Sequence, residues 1–289
     1  MNITRIHKCI IITILSLLAL GCTQQQPESL RLATFNIRYD NSGDGPNSWP
    51  HRKDSICAFI HRVDPDIIDM QEVLHHQLEV LKTGLPEYTV VGVGREDGKT
   101  AGEYAPIFFK QAKYTLLDQN TFWLCEKPDS VGMVGWDAAL TRIATWVKLQ
   151  DKKTGQILMV VNTHFDHIGT EARRNSALLI IEKIKEIVGT SPAILTGDFN
   201  VSEDWDAYKT ITNNEFILKD AHKVAGKRTG VDFTYHNFGK IPAEKCEKID
   251  FIFVTPQIRV ISSYIPFSQL NDTLFLSDHN PEIVELEIK

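Results

Sequence analysis

Thr196-Gly197-Asp198-Phe199-Asn200 follows the apolar run Ala193-Ile194-Leu195. A short apolar run closed by glycine reads as a buried strand that hands an acid and an amide to a loop. An Asp/Asn turn at a strand end is ordinary, so the stretch gains its meaning from others built alike. Four more apolar runs close on polar side chains: Ala33-Thr34-Phe35-Asn36, Ile67-Ile68-Asp69-Met70-Gln71-Glu72, Val160-Val161-Asn162-Thr163-His164 and Leu274-Phe275-Leu276-Ser277-Asp278-His279. Five strands releasing Asn, Glu, His and Asp at one sheet edge would build a metal and phosphate site there.

Outward from these runs the pattern alternates. Strands are expected over residues 30–37, 66–73, 88–93, 105–110, 114–124, 143–149, 158–162, 248–254, 259–265 and 282–288, and helices over 51–63, 75–82 and 204–211. The clearest helix is 171–188, with Ala177, Ile180, Ile181, Ile184, Ile187 and Val188 on one face and Arg173, Arg174, Glu182, Lys183 and Lys185 on a solvated one. Strands and helices mixed in this order imply an α/β fold of two packed sheets with helices on the outer faces. No Pro/Gly/Ser-rich linker or repeat divides residues 30–289, so they form one domain.

Residues 1–21 read as a signal: Arg5, His7 and Lys8 lead into an apolar run over 10–20 that is too short to span a bilayer. Gly21-Cys22 resembles a bacterial lipobox, with Ala19 where leucine is usual; lipidation of Cys22 would anchor the chain in the cell envelope, at the outer membrane or the periplasmic face. Residues 22–29 are a polar tether. Without Arg5 and Lys8 the 31 basic residues become 29, against 37 acidic ones, for a net charge of −8. That balance argues against a broad nucleic-acid-binding face. Cys57, Cys125 and Cys246 have no metal-type spacing and are expected to be free, mostly buried thiols.

Phe35-Asn36, Gln71-Glu72-Val73, Asn162-Thr163-His164, Gly197-Asp198-Phe199-Asn200, Ile249-Asp250-Phe251-Ile252 and Ser277-Asp278-His279, in this order, resemble the endonuclease/exonuclease/phosphatase family. Each motif is weak alone; six in order across residues 30–289 are specific. The resemblance implies a four-layer, deoxyribonuclease I-like α/β sandwich of two mixed β-sheets flanked by helices, with the active site at one end of the sheets. It also implies that His279 pairs with Asp250, that Glu103 orients His164, and that Arg142 stands at the rim, holding carboxylates or touching phosphate.

Phosphoester hydrolysis needs the phosphate charge shielded, a water aligned in line, and the leaving oxygen stabilised. Hard oxygen donors suit that task, and Mg²⁺, with Mn²⁺ as a substitute, is the expected ion. Glu72 is the first metal ligand, Asn36 ligates the ion or holds its water and the phosphate, and Asp278 completes the shell. Asp198 polarises the attacking water, and Asn200 donates to the phosphate or orients that water. His279, held protonated by a carboxylate, would set positive charge against the phosphorane; which histidine meets the nucleophile is left open. Tyr104 and Asp166 are further candidates for the rim. Trp49, Trp123, Trp136 and Trp205 stand near expected loops or strand ends, where they either wall a ligand pocket or pack.

One departure from the family pattern stands out. Where abasic-site endonucleases place an acid two residues after the first-strand Asn, this chain has Arg38, which cannot bind Mg²⁺ and would grip a substrate phosphate or neutralise Glu72. The resulting expectation is a monomeric, lipid-anchored phosphodiesterase or phosphatase acting on a small or lipid-derived phosphoester. A nuclease of the same chemistry is the alternative, and a non-catalytic binding lipoprotein is the alternative of another class.

Overall fold

The computed structural model describes residues 29–214 and 218–289. The expected signal, the Cys22 anchor and tether residues 22–28 lie outside the described residues, and the first strand, β1 (Ser29–Asn36), takes in Ser29 from the end of the expected tether. After β1 come β2 (Ile67–Gln71), β3 (Tyr88–Val91), β4 (Ile107–Lys110), β5 (Tyr114–Trp123), β6 (Ile143–Asp151), β7 (Ile157–His164) and β8 (Ala193–Asp198). The short β9 (Lys219–Asp220) and β10 (Lys227–Gly230) precede β11 (Asp250–Val254), β12 (Ile258–Ile265) and β13 (Glu282–Ile288). The helices are α1 (Trp49–Val63), α2 (His75–Gly84), α3 (Thr170–Val188), α4 (Asp206–Thr212) and α5 (Ala221–Val224).

One sheet has the order β10-β12-β13-β1-β2-β4-β3 and the other β5-β6-β7-β8-β11-β9. Alternation along the strands separates two apolar faces in each sheet. Leu30, Leu32, Ile67 and Ile107 of the first sheet meet Val147, Leu158, Val160, Ile194 and Ile252 of the second between the sheets. Ala33, Phe35, Ile68 and Phe108 turn outward under Ile56, Phe59 and Ile60 of α1 and Leu78 and Leu81 of α2. Met159, Val161, Leu195, Phe251 and Phe253 do the same under Ala177, Ile180, Ile184 and Val188 of α3. Burial on both faces explains why the central strands read as continuous apolar runs, and the result is the expected four-layer sandwich.

Toward the end of the sheets where the motif residues gather, the inter-sheet core becomes polar. Gln71 Nε2 donates to Thr34 Oγ1 at 3.0 Å and across the gap to Asn162 Oδ1 at 2.7 Å, while Asn162 Nδ2 donates to the carbonyls of Met70 and Pro106 at 2.7 and 2.9 Å. Asp69, fully buried, meets Thr196 Oγ1 at 2.7 Å, and the Thr196 hydroxyl lies 3.2 Å from the Val161 carbonyl. Buried polar groups of this kind are stabilising only when paired, so they fix the two sheets in one relative position under the site.

Burial pushes the Asp69 carboxyl up to about 8, against the pull of its Thr196 hydrogen bond. At neutral pH it is therefore protonated and can donate to Thr196 Oγ1, whose own O–H donates a hydrogen bond to the Val161 carbonyl. Because the folded-state pKa lies above the unfolded value of 3.8, the stability it confers is complete below about pH 4 and is lost as pH rises through about 8. Asp69→Asn, the uncharged counterpart of the protonated acid, is expected to flatten this decline, whose limiting slope is about 1.4 kcal/mol per pH unit. Urea unfolding at a series of pH values from 5 to 9 checks it; equal slopes in both proteins would mean Asp69 stays ionised.

Three findings differ from the sequence reading. Arg173, expected on the solvated face of α3, is only 4 % exposed, whereas Arg174 is exposed as expected. The cysteines are free, but of the three only Cys125 is buried. β9, α5 and β10 correspond to no expected element; β10 is exposed throughout and pairs with β12, so it carries no alternation to read. Among the described residues, no helix is long and apolar enough to cross a membrane.

Candidate active site

The topology delivers the motif residues to one edge. In the second sheet β7 runs parallel to β8 with His164 beside Asp198, and β11 runs antiparallel to β8 with Asp250 beside Asp198. In the first sheet parallel β1 and β2 set Asn36 beside Gln71, so Glu72 follows at the same edge. Gly197 is required in this row: with φ at 151°, a Cβ there would lie 2.2 Å from the Thr163 carbonyl oxygen of β7. Arg38, Glu72 and Asn200 all have left-handed backbones, at φ 60°, 60° and 50°. Such conformations are costly for non-glycine residues and collect where geometry is imposed by function.

Asp198 is the hub. Its Oδ2 accepts from Asn36 Nδ2 at 2.9 Å and lies 3.6 Å from His164 Nε2 and 3.8 Å from His279 Nε2; its Oδ1 accepts from the Asn200 backbone N–H at 2.9 Å. Asn36 bridges the two halves, donating also to Glu72 Oε1 at 3.1 Å, while its own Oδ1 accepts from the Arg38 N–H at 3.0 Å. Glu72 Oε2 accepts from the Tyr39 N–H at 3.0 Å.

The two histidines are held differently. His279 Nδ1 is 2.8 Å from Asp250 Oδ2. Burial alone would drive its pKa down, yet Asp250, Asp198 and Asp278 together raise it to about 10, so the ring is an imidazolium at neutral pH. His164 Nε2 faces Asn200 Nδ2 at 3.1 Å, and Asn200 Nδ2 also donates to the Phe165 carbonyl at 3.0 Å. Nε2 of His164 then accepts, which places its proton on Nδ1, with Glu103 Oε2 the neighbouring acid at 3.6 Å. Burial would raise the Glu103 carboxyl, but His164, Arg95 and Arg142 hold it down at about 2; its ion pair with Arg95 Nη1 measures 2.7 Å.

Arg142 is 4 % exposed. Its Nε faces Asp166 Oδ1 at 3.4 Å and Nη2 meets His167 Nδ1 at 3.0 Å, whereas Nη1 is buried with no partner. Nη1 is therefore a charged donor left unpaired in the wall of the cleft. Across the cleft, Arg38 forms a forked pair with Asp44 at 3.0 and 3.1 Å and lies 3.8 Å from both Glu72 and Asp278. Arg38, Glu72, Glu103, Arg142, His164, Asp198, Asn200, Asp278 and His279 line a cleft of ≈ 460 Å³, and Asn36 and Asp250 stand behind it.

The donor set suits a hard divalent cation. Glu72, His164 and Asp198 offer ligand atoms within 4.8 Å of one another. Burial and the Glu72 carboxylate raise the Asp278 carboxyl above its usual range, against His279 and Arg38. Crowded carboxylates with one imidazole and no thiol are relieved by an oxygen-seeking cation, not by Zn²⁺ in a sulfur site.

Two expected rim residues do not line the cleft: Asp166, whose carboxylate accepts from the Ile168 and Gly169 N–H groups at 2.9 and 2.7 Å, and Tyr104. Its ring lies in the core with α1 and α2, and its hydroxyl is taken by the Lys99 carbonyl at 2.8 Å and His75 at 3.2 Å, because the chain turns inward at the bridge between Val73 and Tyr104. The Asn200 amide is engaged by His164 and Phe165, so donation to a phosphate would require it to give up the histidine.

Residues not anticipated also shape the site. Arg52, fully buried in α1, donates to the carbonyls of Ile37 at 2.8 Å and Leu276 at 2.6 Å, tying the loop after β1 to the loop that carries Asp278 and His279. Its position among Trp49, Ile56 and Phe59 on the buried stripe of α1 was the available signal. Tyr235 covers His279 with ring centroids 4.9 Å apart.

The model of the "Endonuclease/Exonuclease/phosphatase family" matches residues 33–279. An endonuclease/exonuclease/phosphatase from Bacteroides vulgatus is 62 % identical in its crystal structure, with a TM-score of 0.88 over 91 % of this chain and 100 % of that one. A mannosyl-6-phosphatase from Bacteroides thetaiotaomicron is 36 % identical, with a TM-score of 0.84 over 89 % of this chain and 99 % of that one. The CCR4-Not complex 3'-5'-exoribonuclease subunit Ccr4 of Emericella nidulans is 24 % identical in an alignment that covers 84 % of this chain but only 46 % of that protein.

Proposed function

The chain belongs to the endonuclease/exonuclease/phosphatase family of metal-dependent phosphoesterases and nucleases, and from that premise we propose that it is a Mg²⁺-dependent hydrolase of a small, sugar-bearing phosphoester. The observation that carries this reading is the surrounding of Asp198 Oδ2: one amide and two imidazoles converge on it, opposite Glu72, in an oxygen-rich cleft.

Glu72, with Asn36 and Asp278 beside it, would hold the ion, which when bound shields the phosphate charge and polarises its oxygens. Asp198, as the buried carboxylate facing the cleft, accepts the proton of the attacking water. The His279 imidazolium, kept charged by Asp250, faces the negative charge that builds on the phosphoryl oxygens. Arg142 offers its unpartnered Nη1 to a phosphoryl oxygen, and Arg38 adds a second cation on the opposite wall. His164, set by Glu103 and Asn200, flanks Asp198, with its Nε2 at 3.6 Å from Oδ2. Two arginines and an imidazolium suit a phosphomonoester dianion, and the 36 % identical mannosyl-6-phosphatase supports a sugar ester. Hydrolysis of RNA or DNA is the second reading, favoured by the exoribonuclease relative and disfavoured by the acidic surface.

A panel of mannose 6-phosphate, p-nitrophenyl phosphate, bis-p-nitrophenyl phosphate and a short oligonucleotide, with EDTA and with Mg²⁺ restored, tests the proposal. Turnover is expected on a monoester, to vanish with EDTA and to return with Mg²⁺. Mg²⁺ at about 100 times its Kd is expected to raise Tm by roughly 5–10 °C, and Glu72→Gln to abolish that rise. Metal-independent turnover, or turnover on the oligonucleotide alone, would sink it.

A further inference from the structure

A second cavity, of ≈ 280 Å³, opens beside the cleft and includes Thr170, Arg173, Val201, Asp204, Trp205 and Asp206 in its lining. That volume lies just below the usual range of ligand pockets, roughly 300–1,000 Å³. Trp205 is 43 % exposed, an unusual state for an indole. The Arg173 guanidinium carbon lies 4.8 Å from its ring centroid, so the indole rests on a buried cation. Arg173 is 4 % exposed, and although Nη1 donates to the Asp166 carbonyl at 3.0 Å, its Nε is buried with no hydrogen-bond partner. An exposed aromatic surface, an unpaired buried donor and two exposed carboxylates thus meet in one recess.

Two short links join residues of the cavity to residues of the catalytic cleft. Val201 follows Asn200 directly. Asp166 accepts from Arg173 with its carbonyl and from Arg142 with its carboxylate, at 3.0 and 3.4 Å. The wall of the cleft at Asn200 thus continues into the wall of the cavity at Val201.

We propose that this cavity is a carbohydrate subsite, which binds a sugar ring of the leaving group beyond the one that carries the phosphate. The C–H face of a pyranose packs on an exposed indole, its hydroxyls donate to Asp204 and Asp206, and a ring or hydroxyl oxygen accepts from Arg173. The same two carboxylates repel a phosphodiester backbone, which disfavours a nucleotide stacked on the same indole. The subsite rests on the hydrolysis reading above and deepens it: the substrate is a phosphorylated oligosaccharide, not a free sugar phosphate.

Wild type, Trp205→Ala and Trp205→Phe are compared on mannotriose phosphorylated at a 6-hydroxyl, on p-nitrophenyl phosphate and on a 5'-phosphorylated oligonucleotide. Trp205→Ala is expected to lower kcat/KM on the trisaccharide about tenfold, about 1.4 kcal/mol, mainly through KM. The p-nitrophenyl ester, which has no sugar, is expected to change within about twofold, and Trp205→Phe to recover most of the loss. Equal loss on both substrates, no loss on the trisaccharide, or a loss confined to the oligonucleotide overturns the subsite. Saturation-transfer NMR with neutral mannotriose gives a readout independent of hydrolysis: transfer is expected with the wild-type protein and not with Trp205→Ala, and no transfer to wild type also overturns it. Transfer without turnover on any phosphate ester would instead refute the hydrolysis reading and leave the subsite standing.

Discussion

Asp198→Asn is expected to lower kcat on a phosphate ester roughly 10³- to 10⁴-fold with Mg²⁺ present, while Tm stays within a few degrees of wild type. The substitution keeps the shape of the side chain, and Oδ1 can still accept from the Asn200 backbone N–H, now at 2.9 Å. What changes is Oδ2. An NH₂ group there would point at the Asn36 amide and at two imidazole Nε2 atoms, replacing the acceptor on which all three converge by a donor that opposes at least two of them. The attacking water would lose its proton acceptor, and the Asn36 bridge to Glu72 would lose one anchor. Steady-state rates on p-nitrophenyl phosphate together with circular dichroism and a melting curve decide it. A loss of less than about tenfold in a folded variant would show that Asp198 is structural.

The fold was legible where both faces of a strand are buried, because continuous apolar runs closed by Gly, Asn or Asp mark a strand and its end together. The gathering of Asn36, Glu72, His164, Asp198 and His279 followed from the ends of those runs, whereas Asp250, at the start of β11, came from the family resemblance. Residues that act from inside the sandwich were harder to read. Gln71 and Asn162 belong to the motifs, yet their hydrogen bonds join the sheets to each other and leave the cleft to their neighbours Glu72 and His164. Arg173 was placed on the solvated face of α3 by its charge, but its guanidinium is drawn inward by the Asp166 carbonyl and the Trp205 ring, contacts across 7 and 32 residues that helical periodicity cannot encode. Tyr104 shows the converse error: proximity in sequence to Glu103 suggested a role at the cleft, but adjacent residues leave an extended segment on opposite sides.

The His279–Asp250 pair is expected to behave as one functional unit. Asp250→Asn and His279→Ala should each lower kcat by roughly 10²- to 10³-fold, and the double variant should be no slower than the worse single by more than about threefold. The backbone of Asp250 is fixed without its side chain: its N–H donates to Thr234 Oγ1 at 3.0 Å, and its carbonyl accepts from Lys248 Nζ at 2.7 Å, with Lys248 itself paired to Glu282 at 2.7 Å. The variants should therefore fold. Removing the Asp250 charge leaves His279 with the burial that lowers its pKa and only Asp198 and Asp278 to raise it, so less of the ring is cationic when the phosphoryl charge develops. Removing the ring leaves Asp250 with Oδ1 already unpartnered and no imidazole to hold, so the carboxylate has nothing left to contribute to turnover. Each change thus removes the same positive charge from the cleft. Losses that multiply in the double variant, to roughly 10⁴-fold or beyond, would mean that Asp250 and His279 act on separate steps, and the assignment of Asp250 as the residue that positions and charges His279 would be wrong.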